Sequence, residues 1–239
     1  MSCADPPTRP ASVPACDVVL VAAGRGSRFG GSDAKQFAPL AGRPLYMHSL
    51  EVFGALDFVN QIVLVTPAGG LPARAEAQMA AVVPEVIRVR GGDRRQDSVA
   101  AGLAALRGAA QVVLVHDVAR PFPPPAAIEK LAVAAVESGG GLLATPCTDT
   151  VKVGTAEGHV ERTLDRRRIW LAQTPQAIRA DLVARAAVHL RQLQTHYTDE
   201  AALLESWGVR VALIESGPEN FKITHPADLA RAEAMMRPE

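Results

Sequence analysis

Apolar residues along the chain fall into short runs bounded by polar or turn-forming segments. Runs at residues 18–21, 62–65, 86–89, 112–115, 142–144 and 209–214 have the length of strands. They are mostly continuous rather than alternating, as strands covered on both faces require. Between them, residues 44–56, 72–82, 96–106, 125–137, 180–194, 198–206 and 226–236 read as helices. Several open on helix-start chemistry: Asp97-Ser98, Thr198-Asp199-Glu200 and His225-Pro226. The alternation predicts an α/β fold with a doubly wound, mostly parallel sheet. Residues 147–170 break the rhythm. Two short alternating runs flank a glycine-containing turn there, which predicts a β-hairpin. It reads either as a surface excursion or as an arm that grips a partner subunit.

The chain has 239 residues, 48% of them hydrophobic, enough for one large domain with its own core. Residues 1–15 carry four prolines and few apolar groups and are expected to form a flexible tail, leaving 16–239 as a single domain. Lysine plus arginine and aspartate plus glutamate both number 25, so the formal net charge is zero. Binding to nucleic acid or to an anionic membrane is therefore not expected. Basic clusters such as Arg88/Arg90/Arg94/Arg95 remain candidates for local anion sites. Cys3, Cys16 and Cys147 form neither a disulfide framework nor a metal-binding pair, which favours a reducing compartment. With no signal-peptide pattern at the start, a cytoplasmic location is expected.

The first predicted strand runs into Ala22-Ala23-Gly24-Arg25-Gly26-Ser27-Arg28-Phe29-Gly30-Gly31, where glycines would let backbone N–H groups approach phosphate. The dinucleotide fingerprint fails because Phe29 occupies the third glycine place and the next strand ends in Thr66-Pro67. A P-loop fails too, since Ser32-Asp33 follows Gly31 where Lys-Ser is needed. What remains is a glycine turn with two cations, Arg28 and Lys35, suited to a triphosphate whose charge moves during transfer.

The stretch from Ala22 to Phe37 resembles the signature of nucleotidyltransferases. Six further stretches narrow the resemblance: Gly91–Val99, His116–Pro121, Asp149-Thr150 with Thr163–Arg166, Thr174-Pro175-Gln176, Thr198–Ala201 and Asn220–Thr224. Together and in this order they are similar to the 2-C-methyl-D-erythritol 4-phosphate cytidylyltransferase family, over roughly residues 17–236. The resemblance implies a nucleotide-diphospho-sugar transferase, Rossmann-like fold and a homodimer whose hairpin arm at 147–170 crosses the interface. It implies CTP and 2-C-methyl-D-erythritol 4-phosphate as substrates, with Mg²⁺ as cofactor. No appended cyclase-like domain is expected.

Roles follow from the same resemblance. Arg28 and Lys35 would neutralise the triphosphate; Ala22, Ala23, Gly24, Gly26 and Gly92, aided by Asp93 and Ser98, would receive the nucleotide. Asp117, at a strand end, would bind both nucleotide and metal. Arg166 and Lys222 would hold the acceptor phosphate, with Thr150, Thr174 and Thr198 offering hydroxyls. Several alternatives stay open. Arg120 reads equally as a phosphate ligand or a loop brace, Ser98 and Thr198 as helix caps, and His116 as structural. The run Arg166-Arg167-Arg168 leaves open which arginine reaches the phosphate. Other acceptors, such as ribitol 5-phosphate, and a non-catalytic nucleotide sensor are the competing functions.

Overall fold

The computed structural model describes residues 12–24, 35–71, 73–83, 85–108, 110–192 and 196–237, without the side chains of 35, 73, 74 and 80–82. In chain order the elements are β1 (Cys16–Val21), a 3-10 turn (Lys35–Phe37), β2 (Pro39–Leu40), β3 (Arg43–Pro44) and α1 (Leu45–Gly54). Then come β4 (Val59–Thr66), α2 (Ala73–Val82), β5 (Ile87–Arg90), α3 (Arg95–Ala104), β6 (Val112–Asp117), α4 (Pro125–Ser138) and β7 (Gly139–Pro146). β8 (Lys152–Gly154), β9 (Val160–Thr163), a second 3-10 turn (Arg166–Arg168), β10 (Trp170–Arg179), α5 (Ala180–Gln192), α6 (Glu200–Ser206), β11 (Arg210–Glu215) and α7 (Pro226–Met235) complete the chain.

Seven strands form one sheet in the order β11-β7-β10-β6-β1-β4-β5. Neighbours are parallel except at β10, which runs antiparallel to both β6 and β7. Side chains alternate across the sheet, so one strand feeds two cores. Val18 and Leu20 of β1 pack with α1 and α4 through Leu50, Phe53, Ile128 and Leu131. Val19 faces the other way, onto Val99 and Leu103 of α3 and Leu190 of α5. Gly102 lets α3 sit close to the sheet, since a Cβ there would lie 2.4 Å from Val19 Cγ1. α4 ends at Gly139, whose φ of 100° is left-handed and closes the helix onto Ala135 O.

The strand at 170–179 was not among those the apolar runs predict. It carries Gln173, Thr174, Pro175 and Gln176 through the middle of the sheet. Its pairing with β7 shifts register between Ala172 and Gln176, so Pro175 lies in an irregularity where its missing N–H breaks no regular ladder bond. The hairpin at 147–170 is present as β8 paired with β9, apart from the main sheet. Of the expected tail, residues 1–11 lie outside the described residues. Residues 12–15 are tied to the body: Ala15 O accepts from the N–H of Gln111 at 2.9 Å, and Val13 packs against the core.

Candidate active site

From β1 the chain moves to β4 and β5 on one side of the sheet and later returns to β6 on the other. This reversal opens a crevice beyond the carboxyl ends of β1 and β6, the usual ligand position in such sheets. On the β1 side, Ala22 N–H donates to Val65 O and Gly91 N–H to Thr66 O, both at 2.8 Å, which draws the ends of β1, β4 and β5 together. A Cβ on Gly91 would lie 2.4 Å from the Ala23 Cβ and 2.6 Å from Ser98 Oγ, and one on Gly92 would lie 2.5 Å from the Asp97 Cβ. Only glycines fit this approach. Ser98 fixes the turn by accepting from Gly92 N–H at 3.2 Å. Ala22, Ala23, Gly92 and Ser98 thus form one cradle, with Asp93 exposed in the same turn and, among the described residues, no atom within 4 Å of where a Cβ on Gly24 would sit.

On the β6 side, Asp117 ends its strand with only 8% of its surface exposed. Arg95 Nε donates to its Oδ1 at 3.0 Å, and Lys222 Nζ donates to its Oδ2 at 2.6 Å. Burial alone would raise the carboxyl's pKa. The two cations outweigh that and hold it far below the ordinary carboxylate range. Arg95 also makes a fork to Glu200, Nη1 to Oε1 at 2.7 Å and Nη2 to Oε2 at 3.0 Å. The charges alternate along Lys222, Asp117, Arg95 and Glu200 and sum to zero.

Around this chain the polar groups are mostly structural. His116 Nε2 donates to Arg120 O at 2.9 Å, so its Nδ1 accepts from the Thr174 hydroxyl at 3.1 Å. Thr174 Oγ1 in turn accepts from the backbone N–H of Asp117 at 3.1 Å. Burial pushes the His116 pKa down to about 4, so the ring is neutral at pH 7. The guanidinium of Arg120 donates to Asn220 O at 2.7 Å and Ala172 O at 3.2 Å, which makes it a brace for the loop before Lys222. Asn220 is itself held by Gln173 and Thr174 O, and Ile223 N–H donates to Ala119 O at 2.8 Å. Lys222 therefore sits on a backbone fixed on both sides.

The other sequence-derived candidates divide. Asp199, not Thr198, caps α6 by accepting from Ala202 N–H, which leaves the exposed Thr198 hydroxyl without that duty. Thr150 and Arg166 are both exposed on the arm, where Arg166 Nη1 donates to Thr148 O at 2.6 Å. Gly26 and Arg28 lie outside the described residues; for Lys35 only the backbone, in its 3-10 turn, is described. A cleft of about 600 Å³ at the opposite end of the sheet, lined by Asp17, Gln61 and Arg107, gathers none of these groups.

Arg95, Glu200, Gln173 and Asn220 are site or support residues that the sequence reading did not place. The basic cluster that makes Arg95 a candidate anion site does not act as one: Arg95 is committed to two carboxylates, as Arg94 is to Asp97. The only signal is the pair of acids Asp199-Glu200 at the start of a helix, of which one caps the helix and the other needs a partner if buried.

No cluster of three or more His, Cys, Asp or Glu side chains suited to a metal occurs among the described residues. Asp117 alone still fits Mg²⁺, which commonly takes one carboxylate together with phosphate oxygens and water. Each of its oxygens accepts one side-chain bond here, and a carboxylate has about four lone-pair sites in all.

The family model described as 2-C-methyl-D-erythritol 4-phosphate cytidylyltransferase (IspD) matches residues 16–238. The protein of that name from Pelotomaculum thermopropionicum is 40% identical over 227 residues, covering 92% of this chain and 93% of its own. The bifunctional enzyme IspD/IspF of Anaeromyxobacter dehalogenans is 45% identical over 221 residues; the match covers 91% of this chain but 56% of that one. Among solved structures, the Thermus thermophilus cytidylyltransferase superposes with a TM-score of 0.73 at 32% identity, covering 91% of this chain and 96% of its own. The Francisella tularensis enzyme gives 0.76 at 28% identity, covering 93% and 100%.

Proposed function

Since the chain belongs to the 2-C-methyl-D-erythritol 4-phosphate cytidylyltransferase family, we propose how its residues share the work of joining CTP to 2-C-methyl-D-erythritol 4-phosphate. The products are 4-diphosphocytidyl-2-C-methyl-D-erythritol and pyrophosphate, a step of isoprenoid synthesis. An oxygen of the acceptor's phosphate bonds to the α-phosphorus of CTP as the bond to the pyrophosphate oxygen breaks. The acceptor is a phosphate monoester with a second pKa near ~6, so at neutral pH the nucleophile needs no general base. The protein's task is to hold two anions in line and neutralise the charge that builds up between them.

The observation that carries the reading is the Lys222–Asp117–Arg95 cluster beside the glycine cradle, at the carboxyl ends of β6 and β1. In this reading the cradle of Ala22, Ala23, Gly24, Gly26, Gly92, Asp93 and Ser98 receives the cytidine and its phosphates. Arg28 and Lys35 neutralise the α-phosphate and the leaving pyrophosphate. Lys222 orients the acceptor phosphate with Arg166, while Thr150 and Thr198 offer hydroxyls; the buried Thr174 hydroxyl, which donates to His116 Nδ1 and accepts from Asp117 N–H, instead holds the end of β6. Arg120 acts through the loop that carries Lys222. Asp117 would hold Mg²⁺, which when bound supplies positive charge to the triphosphate oxygens.

The active unit in this reading is a homodimer. Supporting it are the hairpin's separation from the main sheet and the exposed apolar side chains of Val160 and Leu171 in and beside the arm. A cytoplasmic location fits the cysteine usage, and no helix among the described residues is long and apolar enough to cross a membrane. The deciding assay follows pyrophosphate release from CTP with 2-C-methyl-D-erythritol 4-phosphate and with ribitol 5-phosphate. Release with the first and little with the second is expected. The reverse preference, or binding of CTP without release, would overturn the reading.

A further inference from the structure

Arg95 occupies a position that its own helix does not favour. It is the first residue of α3, directly after Arg94, and both face the positive end of the helix dipole. Arg94 is compensated within the same turn by Asp97. Arg95 is compensated across the fold, by an acid 22 residues away and another 105 residues away. All three of its guanidinium nitrogens are engaged, one with Asp117 and two with Glu200. Three of its five N–H donors are thus committed, one on each nitrogen, which fixes the plane of the guanidinium. Its partner Glu200 is 3% exposed and opens α6, where a carboxylate suits the dipole.

We infer that Arg95, anchored by the buried Glu200, is a positioning residue that fixes the carboxylate of Asp117 for the metal-bound nucleotide. The inference rests on the reading of Asp117 as the metal and nucleotide ligand. Arg95 holds Oδ1, so Oδ2 is the oxygen at which Lys222 can leave for the acceptor phosphate. When Lys222 leaves, Asp117 keeps one cation and one fixed oxygen, so its orientation is retained. Only an arginine meets this geometry, because a planar fork grips Glu200 with two nitrogens and reaches Asp117 with the third. A lysine ammonium is a point charge without that span. The competing explanation is that the Arg95–Glu200 pair only staples α3 to α6.

Four altered proteins separate these. Arg95→Lys and Glu200→Gln each break the bridge; Arg95→Met with Glu200→Met removes both buried charges together, and Asp117→Asn tests the ligand itself. Each is compared with the unaltered protein in thermal unfolding, in binding of Mn²⁺ with CTP followed by electron paramagnetic resonance, and in turnover. The single changes at 95 and 200 should weaken Mn²⁺–CTP binding by about 10- to 100-fold, the usual effect of losing the group that orients a metal ligand. The double change should recover much of the lost Tm, since no unpaired charge remains buried. It should not recover Mn²⁺–CTP binding or kcat, while the KM for the acceptor stays near normal. Recovery of binding along with Tm would reduce the pair to a staple and overturn the inference. Should the double variant fail to fold, Arg95→Lys decides alone: normal Mn²⁺–CTP affinity there overturns it, and a loss supports it. If Asp117→Asn binds Mn²⁺–CTP normally, the ligand reading fails and the inference falls with it. If Asp117→Asn is weakened and the Arg95 variants are not, only the inference fails.

Discussion

Lys222 Nζ lies 2.6 Å from Asp117 Oδ2, joining residues 105 positions apart at the carboxyl end of β6. Lys222 stands on the loop that Arg120 and Asn220 brace, and Asp117 on the last residue of its strand. The lysine side chain remains 38% exposed. Its partly exposed ammonium is free to exchange partners, while Arg95 keeps the buried carboxylate paired.

Lys222→Met should therefore separate stability from activity. Lys222 is partly exposed and Arg95 still pairs the buried Asp117 carboxylate, so the cost should stay at about 1–2 kcal/mol and thermal unfolding should shift by only a few degrees. Loss of a cation that meets charge in the transition state should lower kcat/KM by about 10²–10³-fold. Both are read on the same preparation, by calorimetry and by pyrophosphate release. A large fall in Tm with nearly normal turnover of the folded fraction would remove Lys222 from the chemistry.

Gly91→Ala tests the cradle. The added methyl would collide with Ala23 and Ser98, two groups proposed to receive the base, so the strand ends must spread. Displacements of about 1 Å commonly cost 10²-fold in rate, and a rise of at least tenfold in the KM for CTP is expected. Preference for CTP over ATP, expected at about 10²-fold or more in the unaltered protein, should shrink in the variant. Unchanged nucleotide kinetics would place the base elsewhere.

The fold and the site were legible to different depths. Every apolar run became a strand of the sheet: β1, β4, β6 and β7 are buried along most of their length, which demands continuous apolar sequence, while the edge strands β5 and β11 are half exposed. β10 escaped because only Ala177 and Ile178 of its buried positions are apolar beside Pro175, and its buried polar ones are satisfied from afar: Gln173 by Gly217 O and Ser216, Gln176 by Asp199 and the Ala201 N–H. Nothing within residues 170–179 announces those partners, and Pro175 argues against a central strand until the register shift is seen. The same logic governs the site. Glycines at 91 and 92 could be read from motif order, since close approach needs glycine wherever it occurs. The Arg95–Glu200 fork could not, for it depends on α3 and α6 meeting across the end of the sheet.

Acid should destabilise the protein through its buried histidines. His48 donates from Nε2 to Leu40 O and His116 to Arg120 O, and burial lowers the pKa of both, that of His116 to about 4. Below the unfolded value of 6.5 the unfolded chain takes up protons that these rings refuse, so stability rises with pH in this window. Between pH 6.5 and 4, His116 alone should account for a loss of roughly 3 kcal/mol, with His48 adding to it. Denaturant unfolding across this range should show proton uptake on unfolding, reduced by up to one proton in His48→Gln. An unfolding free energy flat from pH 7 to 4.5 would contradict the buried neutral rings.

The arm supplies the last expectation. Residues 147–170 are mostly polar, and β8 and β9 pair only with each other, so the hairpin adds no strand to the sheet of its own chain. Arg166 is exposed on it, its Nη1 tied to Thr148 O, and among the described residues it forms no ion pair with a carboxylate. An arginine held by one carbonyl is oriented but not neutralised, which suits the capture of an anion from outside the arm. If that anion is the acceptor phosphate in a partner's site, Arg166→Ala should raise the KM for the acceptor and leave CTP binding nearly intact. Lys35→Ala should abolish turnover from within its own chain. Mixing the two variants then gives heterodimers in which one site has lost both residues and the other has kept both. After random subunit exchange, roughly a quarter of the unaltered activity should return, because half the dimers are mixed and each has one sound site. Exchange is verified with differently tagged subunits. If verified heterodimers stay as inactive as their parents, Arg166 works within its own chain or not at all, and the arm is only a surface excursion.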